Sequence, residues 1–387
     1  MLQNKRPLRA AYFAGSMKPG HDGVTRVLYK LIEGLNKNNI ENIFFSAIIP
    51  GVEEQPSKMY RVPSVTFPLY KEYRFAVPGY KHFEQTLKEF NPDIIHINSP
   101  CPLGFAAVKF GLKYKIPVVA TYHTHFASYA RYYKIKALQT FSWNYFRSIY
   151  NKCECIYVPS KPIIDELQEN GINNLYLLPH GVDTNVFNKK HYSAEWKRGL
   201  DIEGKYALLF AGRLVWEKDL QTLADAYKII NEQRNDTVFV LAGDGPVRPE
   251  LEKMMPKALF LGYQGGQALS SAYASSDIFV FPSTTETFGN VTVEAMASGI
   301  PPVCAREGGA YGVINDGVNG LIAEPRDAAS LAEKINLLLD HEELRKKIAE
   351  KAFNYAQTLS WDNIFNELFN SYIKIIDEYY SDHKKAA

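Results

Sequence analysis

The sequence predicts an α/β protein made of two doubly wound parallel-sheet domains facing a cleft. Three observations carry this expectation. The chain has 387 residues, more than one comfortable hydrophobic core accommodates. Short apolar runs rich in β-branched and aromatic residues alternate with longer helical patterns almost from end to end, the signature of βαβ units. The alternation comes in two series, separated by the polar stretch "DTNVFNKKHYSAEWKRGLDIEGK", residues 183–205.

In chain order, the first strand is "RAAYFA" (9–14), and the amphipathic pattern "VTRVLYKLIEGLNK" (24–37) predicts a helix after it. "NIFFSAII" (42–49), "DIIHIN" (93–98), "PVVATYH" (117–123), "CIYVPS" (155–160) and "LYLLPH" (175–180) read as buried strands, with "KPIIDELQENG" (161–171) as a helix between the last two. The second series reads "YALLFAG" (206–212), "TVFVLAG" (237–243), "ALFLG" (258–262), "DIFVFPS" (277–283) and "PPVCA" (301–305). The expected domains are 1–187 and 188–361. A closing amphipathic helix, about 362–387, would pack back on the first of them.

An apolar fraction of 46% with 22% charged residues describes a globular chain, and no apolar run approaches the roughly 20 residues of a membrane span. No secretory signal is visible, and the four scattered cysteines fit reduced thiols, so a cytoplasmic protein is expected. A net charge of +2 does not advertise nucleic-acid binding, so none is expected, and any anion site must be local.

Open α/β sheets bind ligands where strands end and helices begin. Four such corners stand out. "FAGSMKPGHDGVTRV" places Gly15, Gly20 and Gly23 before a helix, without the Lys-Ser/Thr of a Walker loop; a purely structural turn explains it equally well. "FAGRLVWEKDLQTLADAY" sets Gly212 and Arg213 at a strand end and Lys218 near the next helix start, where a cation calls for an anionic partner. A solvated lysine paired with Glu217 or Asp219 is the plainer reading. "LAGDGPVRPELE" carries the Gly243–Asp244–Gly245 turn, ordinary punctuation by itself. "TTETFGNVTVEAMASG" (284–299) puts Glu286 in a turn and Glu294 on a helix from Asn290 to Ser298, stopped by Gly299. A helix-capping carboxylate plus an exposed glutamate would also account for these two.

Taken together, Glu286-Thr-Phe-Gly-Asn-Val-Thr-Val-Glu294, "AGRL", "LAGDGP", "LPHGVD" and "EAMASGIPPV" resemble the retaining glycosyltransferases of family 4. "ATYHTHF" is similar to members that glycosylate lipids. The resemblance covers nearly the whole chain and implies the GT-B fold of two facing Rossmann-like domains. It implies a donor that is a nucleotide diphosphate sugar, UDP- or GDP-linked, and a lipid or glycan acceptor. Arg213 and Lys218 would neutralise the diphosphate, Glu286 would engage the transferring hexose, and His123 would face it from the first domain. Glu294 would hold the ribose, and the amides of Phe288, Gly289 and Asn290 would help hold sugar and phosphate. Gly23, Gly212, Gly243, Asp244 and Gly245 complete the expected donor-binding set. No metal and no cofactor are expected, because the two cations do a metal's work. His180 stands where many members have Asn. A nucleotide-sugar 2-epimerase or hydrolase, or a non-catalytic nucleotide-sugar binder, would share the donor site.

Residues 126–152 interleave aromatics with Arg131, Lys134, Lys136, Arg147 and Lys152. This pattern suits an element touching an acceptor or an anionic membrane. It equally suits a packed helix with a solvated basic face.

Overall fold

Apolar runs of four to eight residues pair side by side, and helices cover them, because a strand buried on both faces needs cover on both. The computed structural model describes residues 6–19, 23–67, 70–77, 80–123 and 136–385. It divides into two units: Met1–Pro159 with Ile163–Leu178 and Trp361–Ala387, and Ser160–Pro162 with Pro179–Ser360.

In the first unit the strands are β1 (Arg9–Ser16), β2 (Glu41–Ile48), β3 (Lys58–Arg61), β4 (Ser64–Phe67), β5 (Tyr70–Ala76), β6 (Ile94–Ile97), β7 (Val118–Thr121), β8 (Cys155–Val158) and β9 (Leu175–Leu177). Seven of them form a parallel sheet in the order β3-β2-β1-β6-β7-β8-β9, and β4 and β5 form an antiparallel ribbon. The second unit holds β10 (Tyr206–Ala211), β11 (Thr237–Ala242), β12 (Leu259–Gly262), β13 (Ile278–Phe281), β14 (Pro302–Ala305) and β15 (Leu321–Ala323). Their parallel order is β12-β11-β10-β13-β14-β15. Both sheets are of the Rossmann type, as expected. Four strands escaped the sequence reading: β3, β4, β5 and β15. The edge strand β3, "KMYR", is bounded by charged residues and shows no apolar run, the edge strand β15 offers only "LIA", and β4 and β5 form their ribbon outside the main sheet.

The helix Trp361–Lys385 belongs to the first unit, where Ile364, Phe365, Leu368, Phe369, Tyr372 and Ile376 are buried. It lies tight against the helix Gly23–Lys37: a Cβ on Gly34 would come within 2.6 Å of the Phe365 ring. Polar groups fix its register. The Tyr372 hydroxyl pairs with His96 Nδ1 and lies 3.1 Å from the Tyr12 hydroxyl, while His96 Nε2 meets Thr121 Oγ1 at 2.6 Å. One residue earlier, Ser371 Oγ lies 2.5 Å from the Tyr157 hydroxyl. Burial pulls His96 down to about 3, so the ring is neutral at physiological pH.

Replacing Tyr372 by Phe removes a hydroxyl that serves two buried partners and leaves them short of hydrogen bonds. We expect a loss of about 1–3 kcal/mol in urea unfolding of the intact protein. An unchanged midpoint would show that the network does not hold the helix.

Candidate active site

The strand order of the second unit reverses at β10, which has β11 on one side and β13 on the other. Loops leaving these neighbours diverge there, and such a switch point is where open α/β sheets bind ligands. The Gly212–Lys218 segment leaves β10, the Gly243–Gly245 turn leaves β11, and the Thr284–Asn290 loop leaves β13.

Glycine at 243 and 245 is a packing requirement. A Cβ on Gly243 would land on the carbonyl oxygen of Gly212, and one on Gly245 on that of Leu214. This close approach lets Leu214 N donate to Asp244 O at 2.9 Å and Gly212 N to Ala242 O at 3.0 Å. The "GDG" turn therefore braces the backbone that carries Arg213, which is exposed and forms no salt bridge among the described residues. Asp244 is exposed as well, its Oδ1 accepting from Gly245 N at 2.8 Å.

Beyond Arg213 the chain forms a 3-10 turn, Trp216–Lys218, and Asp219 follows in the left-handed region with φ 53°. The helix Leu220–Gln233 starts after it, so Lys218 precedes that helix instead of lying on it. Asp219, which the sequence offers only as a partner for Lys218, is instead the tie between two loops. Its Oδ2 accepts from Thr284 N at 2.9 Å and from Thr284 Oγ1 at 2.5 Å. Arg326 reinforces the tie, donating to Thr284 Oγ1 at 2.9 Å while pairing with Asp219 at 3.5 Å and Glu307 at 2.8 Å. Burial pushes the Asp219 carboxyl upward, against the pull of Thr284 and Arg326. A second tie runs from Thr285 Oγ1 to Glu217 O at 2.9 Å.

These ties bring Lys218 against Glu286. The ammonium and the Glu286 carboxylate form a direct ion pair, with side chains 22% and 21% exposed, so solvent still reaches it. Lys218 pairs with neither of its sequence neighbours, contrary to the plainer expectation. Its Nζ lies 5.9 Å from the Phe281 ring centroid. Burial pulls the ammonium down to about 8, with Glu217 opposing and Arg213 adding to the fall. Contact with Glu286 favours the charged form, and the lysine is a cation at neutral pH.

The Glu286 carbonyl accepts from Gly309 N at 2.6 Å, and a Cβ at Gly309 would strike the Thr287 carbonyl. The loop then enters the helix Asn290–Ala297 through Gly289, left-handed at φ 79° with no side-chain cap. Glu286 is therefore not a capping carboxylate, and among the described residues no side chain accepts from the N-terminal amides of that helix. An uncapped N-terminus attracts anions. Phe288 is buried against His180, with ring centroids 5.1 Å apart, and His180 Nδ1 lies 3.0 Å from Asn290 Oδ1. Burial pulls His180 down to about 4 against that hydrogen bond, so a neutral ring supports the loop. Glu294 is buried, its Oε2 accepting from the Tyr273 hydroxyl at 3.0 Å.

The second unit thus gathers Gly212, Arg213, Lys218, Gly243, Asp244, Gly245, Glu286, Phe288, Gly289, Asn290 and Glu294. Gly23 and His123 belong to the first unit. Gly23 is exposed and opens the helix Gly23–Lys37, whereas His123 follows β7 with its Nε2 3.2 Å from Asn98 Oδ1. Gly20, His125, Arg131 and Lys134 lie outside the described residues. In the helix Lys136–Tyr150, Trp143, Phe146 and Tyr150 are buried and Arg147 donates to Asn170 O at 2.9 Å, which fits packing over that half of the 126–152 segment. Among the described residues no helix is long and apolar enough to cross a membrane.

Comparison with known proteins adds three findings. Residues 193–355 match the family described as Glycosyl transferases group 1, and residues 21–186 match Glycosyltransferase Family 4. A GDP-mannose-dependent alpha-mannosyltransferase of Corynebacterium glutamicum is 33% identical over 378 residues, covering 96% of this chain and 90% of the relative. An alpha-monoglucosyldiacylglycerol synthase of Streptococcus pneumoniae is 26% identical over 311 residues, covering 76% and 70%. Among solved structures, the Anabaena protein HepE in complex with UDP superposes with a TM-score of 0.77 at 20% identity, covering 94% of this chain and 99% of that one, which is a likeness of fold.

Proposed function

The chain belongs to glycosyltransferase family 4, and from that premise we propose that it moves a hexose from a nucleoside diphosphate sugar to a lipid or glycan hydroxyl with retention of configuration. The observation that carries the donor class is the cation pair Arg213 and Lys218 at the switch point, beside a carboxylate and an uncapped helix N-terminus. The near full-length mannosyltransferase relative supports GDP-mannose as the first donor to test, and the diacylglycerol relative supports a lipid acceptor.

In this reading the bond from the anomeric carbon to the diphosphate breaks as the acceptor oxygen bonds to that carbon. The acceptor proton leaves with the departing phosphate. Arg213 and Lys218 balance the charge that gathers on the leaving diphosphate, where preorganised donors act most strongly. Glu286 accepts hydroxyls of the hexose and Glu294 those of the ribose, one of its oxygens already being held by Tyr273. The amides of Phe288, Gly289 and Asn290 receive phosphate and sugar oxygens. Gly212 and the Gly243–Asp244–Gly245 turn keep the donor-facing backbone in place, and Asp219 with Arg326 keeps Lys218 and Glu286 in register. In the first unit His123 is the candidate on the family motif, its ring oriented by Asn98, and Gly23, the other candidate there, opens the helix Gly23–Lys37. Two fixed cations make a metal unnecessary in this scheme.

The test is transfer from GDP-mannose and its UDP-linked hexose counterparts to diacylglycerol and glycan acceptors in EDTA, with the product's anomeric configuration read by NMR. We expect transfer with retention, and Arg213→Ala and Lys218→Ala to lower turnover roughly a hundredfold. Folded variants with near-normal turnover, or inversion, or a metal requirement, would overturn the corresponding part.

The pH dependence of product binding gives a second check. Lys218 is charged below about 8 and loses its proton above it, so nucleoside diphosphate affinity should fall as pH rises through that value. Lys218→Arg should hold its affinity through that value to about pH 9, because a guanidinium keeps its charge there. Identical profiles for the two proteins would show that Lys218 does not meet the phosphate.

A further inference from the structure

Lys218 and Glu286 sit 68 residues apart in sequence, yet each is the other's ion-pair partner. The function proposed above gives each of them a different ligand group: a diphosphate for the lysine and a hexose for the glutamate. Resting on that reading, we propose that donor binding is an ion-pair exchange and that Glu286 sets the preference for a sugar-bearing nucleotide over the sugarless product. A diphosphate that takes Lys218 removes the only cation in contact with the Glu286 carboxylate among the described residues. The freed carboxylate then needs hydrogen-bond donors.

A hexose supplies them through its hydroxyls. A nucleoside diphosphate without a sugar does not, and its free terminal phosphate brings about one more negative charge than the sugar nucleotide does beside the stranded carboxylate. The sugar nucleotide therefore replaces both halves of the pair, whereas the product replaces one. Once the hexose has left for the acceptor, Glu286 again competes with the diphosphate for Lys218, and product dissociation is favoured.

The site is built for such an exchange. Both side chains keep about a fifth of their surface exposed, so ligand atoms can reach them. The backbones are fixed by Asp219 to Thr284, by Thr285 to Glu217 and by Gly309 to Glu286. Only the two side chains have to turn. Arg213 is exposed and without a salt bridge among the described residues, so it provides a first electrostatic contact that needs no exchange.

The experiment is isothermal titration of GDP and UDP into the wild-type protein, Glu286→Gln, Lys218→Met and the double variant. Wild-type binding of either nucleotide tests the donor reading itself, and failure to bind both would remove that reading together with the exchange. Given wild-type binding, the exchange requires Glu286→Gln to bind the nucleoside diphosphate at least about fivefold more tightly, although its transfer activity falls. In the Lys218→Met background the same substitution should tighten binding by clearly less than in the wild type, because through-space repulsion remains to be relieved but no pair remains to be broken. Unchanged or weaker product binding in Glu286→Gln would overturn the exchange and leave the donor reading intact. Equal tightening in both backgrounds would overturn it as well, as that would reflect charge repulsion acting through space. Glutamine keeps the size of glutamate, and circular dichroism verifies that each variant is folded.

Discussion

A lysine and a glutamate in contact at the seam between β10 and β13 are what the proposed donor site depends on. A partly buried cation beside an uncapped helix N-terminus is costly unless an anion accompanies it. Glu286 supplies that anion within the protein, and the proposed diphosphate supplies it from the ligand. Local charge balance thus holds in either case. On this proposal a chain with a net charge of only +2 concentrates its anion-binding capacity in one corner.

The surrounding scaffold serves to keep that contact in register. Strand order brings the two loops side by side, but side by side is not yet in contact. Asp219 closes the remaining gap by taking a left-handed backbone conformation that aims its carboxylate at both donors of Thr284. Arg326 and Glu307 extend the tie to the segment after β15 and to the Gly308–Gly309 loop. Glycine at 243, 245 and 309 permits backbones to meet where any side chain would push them apart. A site assembled this way has fixed backbones and a few side chains free to change partner.

Much of the fold was legible in the sequence because long buried strands announce themselves. "RAAYFA", "NIFFSAII" and "TVFVLAG" could be nothing else once helices were seen between them. Two of the four edge strands were not legible: β3, "KMYR", is bounded by charged residues with no apolar run, and β15 offers only the three apolar residues "LIA". At the site, the motif glutamates and cations stood out through resemblance, and that resemblance supplied their expected roles. The pairing of Lys218 with Glu286 was hidden, because a contact between residues 68 apart depends on strand order that local patterns do not encode. Arg326 had no local signal at all. Asp219 did have one: an aspartate directly before a helix can bond backbone amides, though here those amides belong to another loop.

In the proposed complex Arg213 and Lys218 hold a donor diphosphate while Glu286 turns to the hexose. A crystal structure with an unreactive nucleoside diphosphate hexose tests it most directly. We expect diphosphate oxygens within about 3 Å of Lys218 Nζ and of the Arg213 guanidinium, with the Glu286 carboxylate on sugar hydroxyls and no longer on Lys218. A diphosphate bound elsewhere, or one bound here with the Lys218–Glu286 pair intact, would contradict it.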